Sequence, residues 1–303
     1  MTFAPPRQGV QEGVQGGHAY DAVLVVSFGG PEGPDDVMPF LENVLRGRNV
    51  TPARMREVAR HYELFGGISP INEQNRALVA ALGSELERHG LDLAVYWGNR
   101  NWHPLLADTL RAMVRDGVRR VIAFFTSAYS SYSGCRQYRE DLARAQASAG
   151  GRAPHIDKLR VFYNHPGFIN PSVRSLRAAL GRVPAERRGT ARVAFTAHSI
   201  PLAMAGQSAY ARQLEEASRL VAGALGLADW RLVWQSRSGP ARQPWLEPDI
   251  LEHCRALRQA GAEDVVVAPI GFLSDHMEVI YDLDTEARAL CEEIGLGWAR
   301  AAT

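Results

Sequence analysis

Cysteine is scarce in this chain. The 303 residues hold three, Cys135, Cys254 and Cys291, widely spaced and without a CxxC pair. That excludes a zinc ribbon and a disulfide framework as organising principles. Cys254 and Cys291 fall in helix-period segments and read as buried filler, whereas Cys135 follows a loop in Ser133-Gly134-Cys135 and fits that reading less well. An excess of charge is also missing: 34 Lys and Arg stand against 33 Asp and Glu, for a net charge of +1. No bulk field would therefore gather nucleic acid. No run is long and apolar enough to span a membrane. The first twenty residues lack the apolar stretch of a signal peptide, so residues 1–20 read as a disordered leader and the chain as cytoplasmic. Neither GxGxxG nor GxxxxGKS/T occurs, which leaves nucleotide binding with little support.

What remains is an ordinary globular composition, 46% hydrophobic and 22% charged, long enough for two domains. Short β-branched runs alternate with longer helix-period segments, the pattern of βαβ units and a parallel sheet. Strands are predicted at 22–27, 93–97, 120–125, 159–162, 192–196, 231–234, 265–270 and 297–300. Helices are predicted at 75–89, 104–116, 209–225 and 248–260. A break near Ala149-Gly150-Gly151-Arg152-Ala153-Pro154, or a later one near residues 164–171, divides the strands four and four. The fold expected is α/β, two Rossmann-like lobes of residues 21–155 and 156–303, each a parallel four-stranded sheet flanked by helices, with a cleft between them.

Polar segments that follow strands carry the chemistry, because ligands bind beyond the carboxyl ends of parallel strands. Val193-Ala194-Phe195 leads into Thr196-Ala197-His198-Ser199-Ile200-Pro201, and residues 265–270 lead into Gly271-Phe272-Leu273-Ser274-Asp275-His276-Met277-Glu278. Asp275 with Glu278 three positions on reads as a variant capping box. The same residues with Asp282 are spaced i, i+3, i+7 and would share one helix face. That stripe repels itself, so it suits a proton or cation path. Gly98-Asn99-Arg100-Asn101-Trp102 joins a guanidinium, the natural bidentate partner of an anion, to a flat apolar wall. Residues 126–134 are dense in Tyr and Ser, and Tyr138 follows on the next helix. Gly66-Gly67-Ile68-Ser69 reads either as helix caps, with Ser69 or Asn72 as capping side chains, or as a ligand-facing loop with a hydroxyl donor. Ser27-Phe28-Gly29-Gly30 reads as a tight βα turn.

Taken together, FTAHSIP (195–201), GFLSDHMEVIYDLD (271–284), FGGISPIN (65–72), YWGNRNWHP (96–104) and VWQSRSGP (233–240) resemble the ferrochelatases, and among them the actinobacterial-type coproporphyrin ferrochelatases. The resemblance runs from about Asp21 to Ala301. It implies a chelatase-like pair of lobes clamping a porphyrin, with Fe²⁺ as substrate and two protons released. It implies His198 as metal ligand or proton acceptor, Glu278 as its carboxylate partner, and Asp282 behind it. Phe28, Ser69, Arg100 and Tyr138 fall at porphyrin-contacting positions. Coproporphyrin III is the expected substrate; protoporphyrin IX, another tetrapyrrole metallation, or a non-catalytic porphyrin-binding role stay open. Arg46, Arg48 and Arg237 are candidate anchors for the additional propionates.

The chain also departs from these relatives. Phe28 stands where several Gram-positive relatives carry an iron-ligating tyrosine, and a benzyl group cannot coordinate. Cys135 matches one ligand of the [2Fe–2S] cluster of actinobacterial-type relatives, but the cysteine-rich tail that supplies the others is not in this sequence, nor is the closing helix. No cluster is expected, since four thiolates are needed. A monomer without nucleic-acid partners is expected.

Overall fold

The computed structural model describes residues 20–47, 50–131, 137–238 and 242–303. In chain order the first half contains β1 (Ala22–Ser27), α1 (Pro34–Val44), α2 (Pro52–Glu63), α3 (Ile71–Arg88), β2 (Ala94–Asn99), α4 (Leu106–Arg115), β3 (Arg120–Phe125), α5 (Tyr138–Ala149) and β4 (His155–Lys158). The second half contains α6 (Pro166–Leu180), β5 (Arg192–His198), α7 (Leu202–Ala205), α8 (Tyr210–Leu225), β6 (Trp230–Gln235), α9 (Ile250–Gln259) and β7 (Asp264–Ala268). It ends with α10 (Met277–Val279), a π-helix (Ile280–Ala287), α11 (Arg288–Ile294) and β8 (Gly297–Arg300).

Two four-stranded sheets result, ordered β2-β1-β3-β4 and β6-β5-β7-β8, with every strand pair parallel. Burial explains why their centres were legible. Ala-Val-Leu-Val-Val-Ser of β1 is buried at every position, as is Asp-Val-Val-Val-Ala of β7, because helices cover both faces of a parallel sheet. On α8, Tyr210, Gln213, Leu214, Ala217, Ser218, Val221 and Ala222 are buried, a stripe of three- and four-residue steps facing the sheet. Gly226 closes that helix in the left-handed conformation, φ 69°, which costs a residue without Cβ little.

One predicted strand is misplaced. The apolar run 159–162 lies outside the sheet, and the polar His-Ile-Asp-Lys of residues 155–158 forms β4 instead. An edge strand has one open side, so it needs little apolar sequence. Leu159 is 42% exposed, while Phe162 stacks on Phe124 at 5.0 Å and packs against the second lobe's core. A division at 155/156 would cut β4; the first sheet ends after Lys158, and α6 packs across on α8 and β7.

The lobes are tied at several points. Tyr129, on the loop after β3, donates its hydroxyl to the Ile270 carbonyl at 2.7 Å. Ser130 N–H donates to Gln213 at 2.7 Å, and Gln213 donates back to Ser130 Oγ at 3.1 Å. Gln74 on α3 accepts from Asp275 N–H at 3.1 Å. His61 on α2 stacks on Tyr281 of the π-helix, ring centroids 3.7 Å apart and planes 8° from parallel.

Phe195 is fully buried at the centre of the second lobe, edge-on to Trp230 at 5.5 Å. Phe195→Ala should cost about 3–5 kcal/mol of stability, measured as a lowered urea midpoint. A loss below about 1 kcal/mol would mean that the core closes around the gap.

Candidate active site

The site is built by two backbones that touch. β5 ends at His198, and the chain after β7 turns back against it, with Gly271 N–H donating to the Thr196 carbonyl at 3.0 Å. A Cβ at Gly271 would lie 2.5 Å from the Cβ of Ala197, so any larger residue would push the following loop away. His198 is fixed through its main chain: Tyr210 donates its hydroxyl to the His198 carbonyl at 3.1 Å. Ser199 N–H donates to the Gln235 carbonyl at 2.8 Å, and Ser199 Oγ to the Leu246 carbonyl at 2.9 Å.

The imidazole Nδ1 of His198 lies in hydrogen-bond contact with the Ser199 carbonyl. A carbonyl only accepts, so this contact assigns the proton to Nδ1 and leaves Nε2 with its lone pair. Nε2 faces Glu278 Oε2 at 3.7 Å. That is too long for a hydrogen bond. It is close to the separation of about 3.4 Å expected of a nitrogen and an oxygen ligand on one tetrahedral divalent ion. Both side chains are partly open, 32% and 53% exposed. Among the described residues no group of three or more His, Cys, Asp and Glu side chains could hold a metal, so two donors offer an entering ion a loose grip.

The carboxylate row differs from the predicted one. Asp275 does not cap the helix or face Glu278; its carboxylate binds Arg300 Nη1 at 2.8 Å. His276 takes the cap, its Nδ1 accepting from Glu278 N–H at 3.2 Å. Burial holds the His276 pKa below the ordinary value, which keeps the ring neutral and able to accept. The helix then widens into a π-helix over Ile280–Ala287, whose i→i+5 ladder has a larger turn than an α-helix. Glu278 and Glu286, four positions to either side of Asp282, each act on its carboxyl. The row is thus Glu278–Asp282–Glu286. Sequence reasoning missed His276 and Glu286, although the four-residue spacing to Glu286 was there to be read.

Asp282 is backed by β6. Ser236 Oγ donates to Asp282 Oδ2, and Gln235 Nε2 donates to the same oxygen at 3.4 Å and to the Glu278 carbonyl at 3.3 Å. Ser236 has φ 62°, the only non-glycine residue with positive φ among the described residues. Burial raises the Asp282 carboxyl from 3.8 to about 7, opposed by the Ser236 bond and assisted by Glu278 and Glu286.

In the first lobe, Phe28 follows β1 and is 36% exposed. The other expected contacts are not at the surface. Ser69 is 4% exposed, its N–H tied to the Pro31 carbonyl at 2.9 Å. Tyr138 is 5% exposed and lies under the Arg100 guanidinium at 4.4 Å. The Arg100 side chain is 4% exposed and paired with Asp141. Arg100 is paired with its own carboxylate, and Ser69, Tyr138 and the side chain of Arg100, read from the sequence as porphyrin-contacting positions, are all buried in this structure. Asn72 is no cap either. It is fully buried and donates to the carbonyls of Gly30 and His103 at 3.1 and 3.2 Å, bracing the loop that carries Phe28. Arg46 is exposed, Arg237 lies 3.8 Å from Glu247, and Arg48 and Cys135 fall outside the described residues. Cys254 and Cys291 are buried.

With this geometry in hand, comparison with known proteins is decisive. The sequence profile of the family described as Ferrochelatase matches residues 20–303. The chain belongs to the ferrochelatase family. A coproporphyrin III ferrochelatase of Streptomyces coelicolor is 57% identical over 302 residues, covering 94% of this chain and 80% of that protein. One of Nocardia farcinica is 55% identical over 293 residues, covering 94% and 83%. A ferrochelatase of Rhodopirellula baltica is 57% identical over 283 residues, covering 93% and 80%. Membership makes the protein a metal chelatase.

Between pH about 4 and about 7 the folded chain holds a proton on Asp282 that the unfolded chain has lost, so this group makes stability fall as pH rises through that window. Thermal melts of Asp282→Asn should show a flatter pH dependence there, with the variant gaining on the parent above neutrality. An unchanged profile would mean that Asp282 titrates normally.

Proposed function

We propose that the protein inserts Fe²⁺ into coproporphyrin III with release of two protons, as a step in haem biosynthesis. The observation that carries this reading is the His198–Glu278 pair, 3.7 Å apart in the segments that follow β5 and β7, with Asp282 behind it, its carboxyl raised to about 7 by burial. The relatives named for coproporphyrin III support the choice of substrate. The iron enters and leaves as a divalent ion, and only protons are exchanged. Two pyrrole N–H groups must give up their protons to bases above the ring. His198 Nε2, with a free lone pair, accepts a proton or binds the ion, as a neutral imidazole does. Glu278 shares the ion or takes a proton, which Asp282 can receive because its carboxyl titrates at about 7, near the working pH of a proton relay. Glu286 continues the row.

Phe28 supplies an apolar face and no metal ligand. Arg46, which is exposed, is assigned to a propionate, with Arg48 beside it in sequence; Arg237 is engaged by Glu247 and Gln243. Among the described residues no helix is long and apolar enough to cross a membrane, and we assign the enzyme to the cytoplasm as a monomer of two lobes that meet after Lys158.

An anaerobic assay with Fe²⁺ and either coproporphyrin III or protoporphyrin IX tests the reading, and higher kcat/KM for coproporphyrin III is expected. His198→Ala should lower insertion by at least about 10²-fold while porphyrin still binds, seen as quenching of its fluorescence. Near-native turnover in that variant, or no turnover by the parent with either porphyrin, would overturn the assignment.

A further inference from the structure

The loop that delivers Glu278 belongs to the second lobe, yet the first lobe holds it near both ends. β7 stops at Ala268, and beyond it the chain leaves the sheet, so point contacts fix its course to α10. At the near end Tyr129, on the loop after β3, donates its hydroxyl to the Ile270 carbonyl at 2.7 Å. Ile270 precedes Gly271, whose N–H donates to the Thr196 carbonyl at 3.0 Å. At the far end Gln74 on α3 accepts from Asp275 N–H at 3.1 Å, three residues before Glu278.

Tyr129 is itself rigidly placed. By sequence it belongs to the first lobe, but by packing it forms, with Ala128, part of the second lobe's core. It is 3% exposed, and Phe168 of α6 and Tyr210 of α8 meet it edge-on at 6.0 and 6.2 Å. A ring enclosed at interior density has little freedom to turn, so its hydroxyl stays aimed at Ile270. Burial pushes the phenol pKa well above its ordinary value, which keeps the group a donor. Tyr210 completes the arrangement by donating to the His198 carbonyl at 3.1 Å. Two tyrosines in edge contact thus hold the two backbones of the site, one at His198 and the other beside Gly271.

We propose that Tyr129 and Gln74 are positioning residues through which the first lobe sets the separation of the His198–Glu278 pair, so that the metal-binding geometry of the second lobe exists only while the lobes are docked. Two donors grip one ion only while their separation holds, and this pair stands 3.7 Å apart. The proposal rests on the reading of the pair as a metal site given above.

Zn²⁺ titrated calorimetrically into the protein without porphyrin tests it, the heat that His198→Ala removes being that of the pair. Tyr129→Phe keeps the ring and deletes the hydroxyl, and Gln74→Leu deletes the acceptor. Each should weaken this Zn²⁺ binding about fivefold, the worth of one neutral hydrogen bond. The KM for Zn²⁺ in the insertion assay should rise with it, and the porphyrin Kd from fluorescence quenching should not change. Gln213→Leu breaks a different tie between the lobes, that to Ser130, and should keep the parental Zn²⁺ affinity. Parental affinity in Tyr129→Phe or in Gln74→Leu would overturn the proposal, even with a lowered melting temperature, because the contact would then be merely structural. So would an equal loss in Gln213→Leu, which would make docking in general the cause. Zn²⁺ binding as expected but no turnover with either porphyrin would remove the insertion reading and leave this proposal standing. Heat that survives in His198→Ala would remove the reading of the pair as a metal site, and the proposal with it.

Discussion

The close approach of two backbones at Gly271 and Ala197 is the constraint on which the site depends. β5 and β7 are hydrogen-bonded neighbours, so the segments that leave their carboxyl ends start side by side. Where the second segment has no side chain, it lies directly against the first, and the turn that follows delivers Glu278 opposite His198. A methyl group at that point would meet the Cβ of Ala197 at 2.5 Å and force the two segments apart there. The chemistry of an imidazole and a carboxylate is generic; their separation is not.

Around this contact the molecule is asymmetric in a useful way. The second lobe carries the groups assigned to accept a proton or an ion: His198, Glu278, Asp282 and Glu286, with Ser236 held in an uncommon backbone conformation to reach Asp282. The first lobe presents the Phe28 ring and the exposed Arg46, while Arg100 is held by Asp141 and Tyr138. The ties between lobes, from Tyr129 to Ile270 and from His61 to Tyr281, set how closely the two lobes face each other.

Legibility in the sequence followed burial. β1, β3 and β8 were read to the residue, and the central strands stood out as unbroken β-branched runs because helices cover both of their faces. β4 did not, because an edge strand can be polar, and the apolar run next to it serves the crossover to the second lobe. His198 and Glu278 were singled out because the polar segments that carry them lie at the carboxyl ends of β5 and β7. Asp275 was misread because its true partner, Arg300, is 25 residues away in sequence and adjacent only through β7 and β8. The cap it was given fell to His276, whose neutrality comes from burial. Glu286 was missed although it lies four positions beyond Asp282, a spacing that keeps residues on one helix face.

By itself the sequence determined the two-lobed parallel architecture and singled out His198 and Glu278 as candidates. Periodicity and residue type are local properties, and strand ends mark where a ligand meets the sheet. The tertiary structure alone decided which polar groups are available. Arg100, Tyr138 and Ser69 have the right chemistry for a propionate, yet each is covered or paired within the fold. Asp282 is an ordinary aspartate until burial and two neighbouring carboxylates lift its pKa towards neutrality. Availability and proton affinity depend on what packs around a group, and residues distant in the chain do that packing.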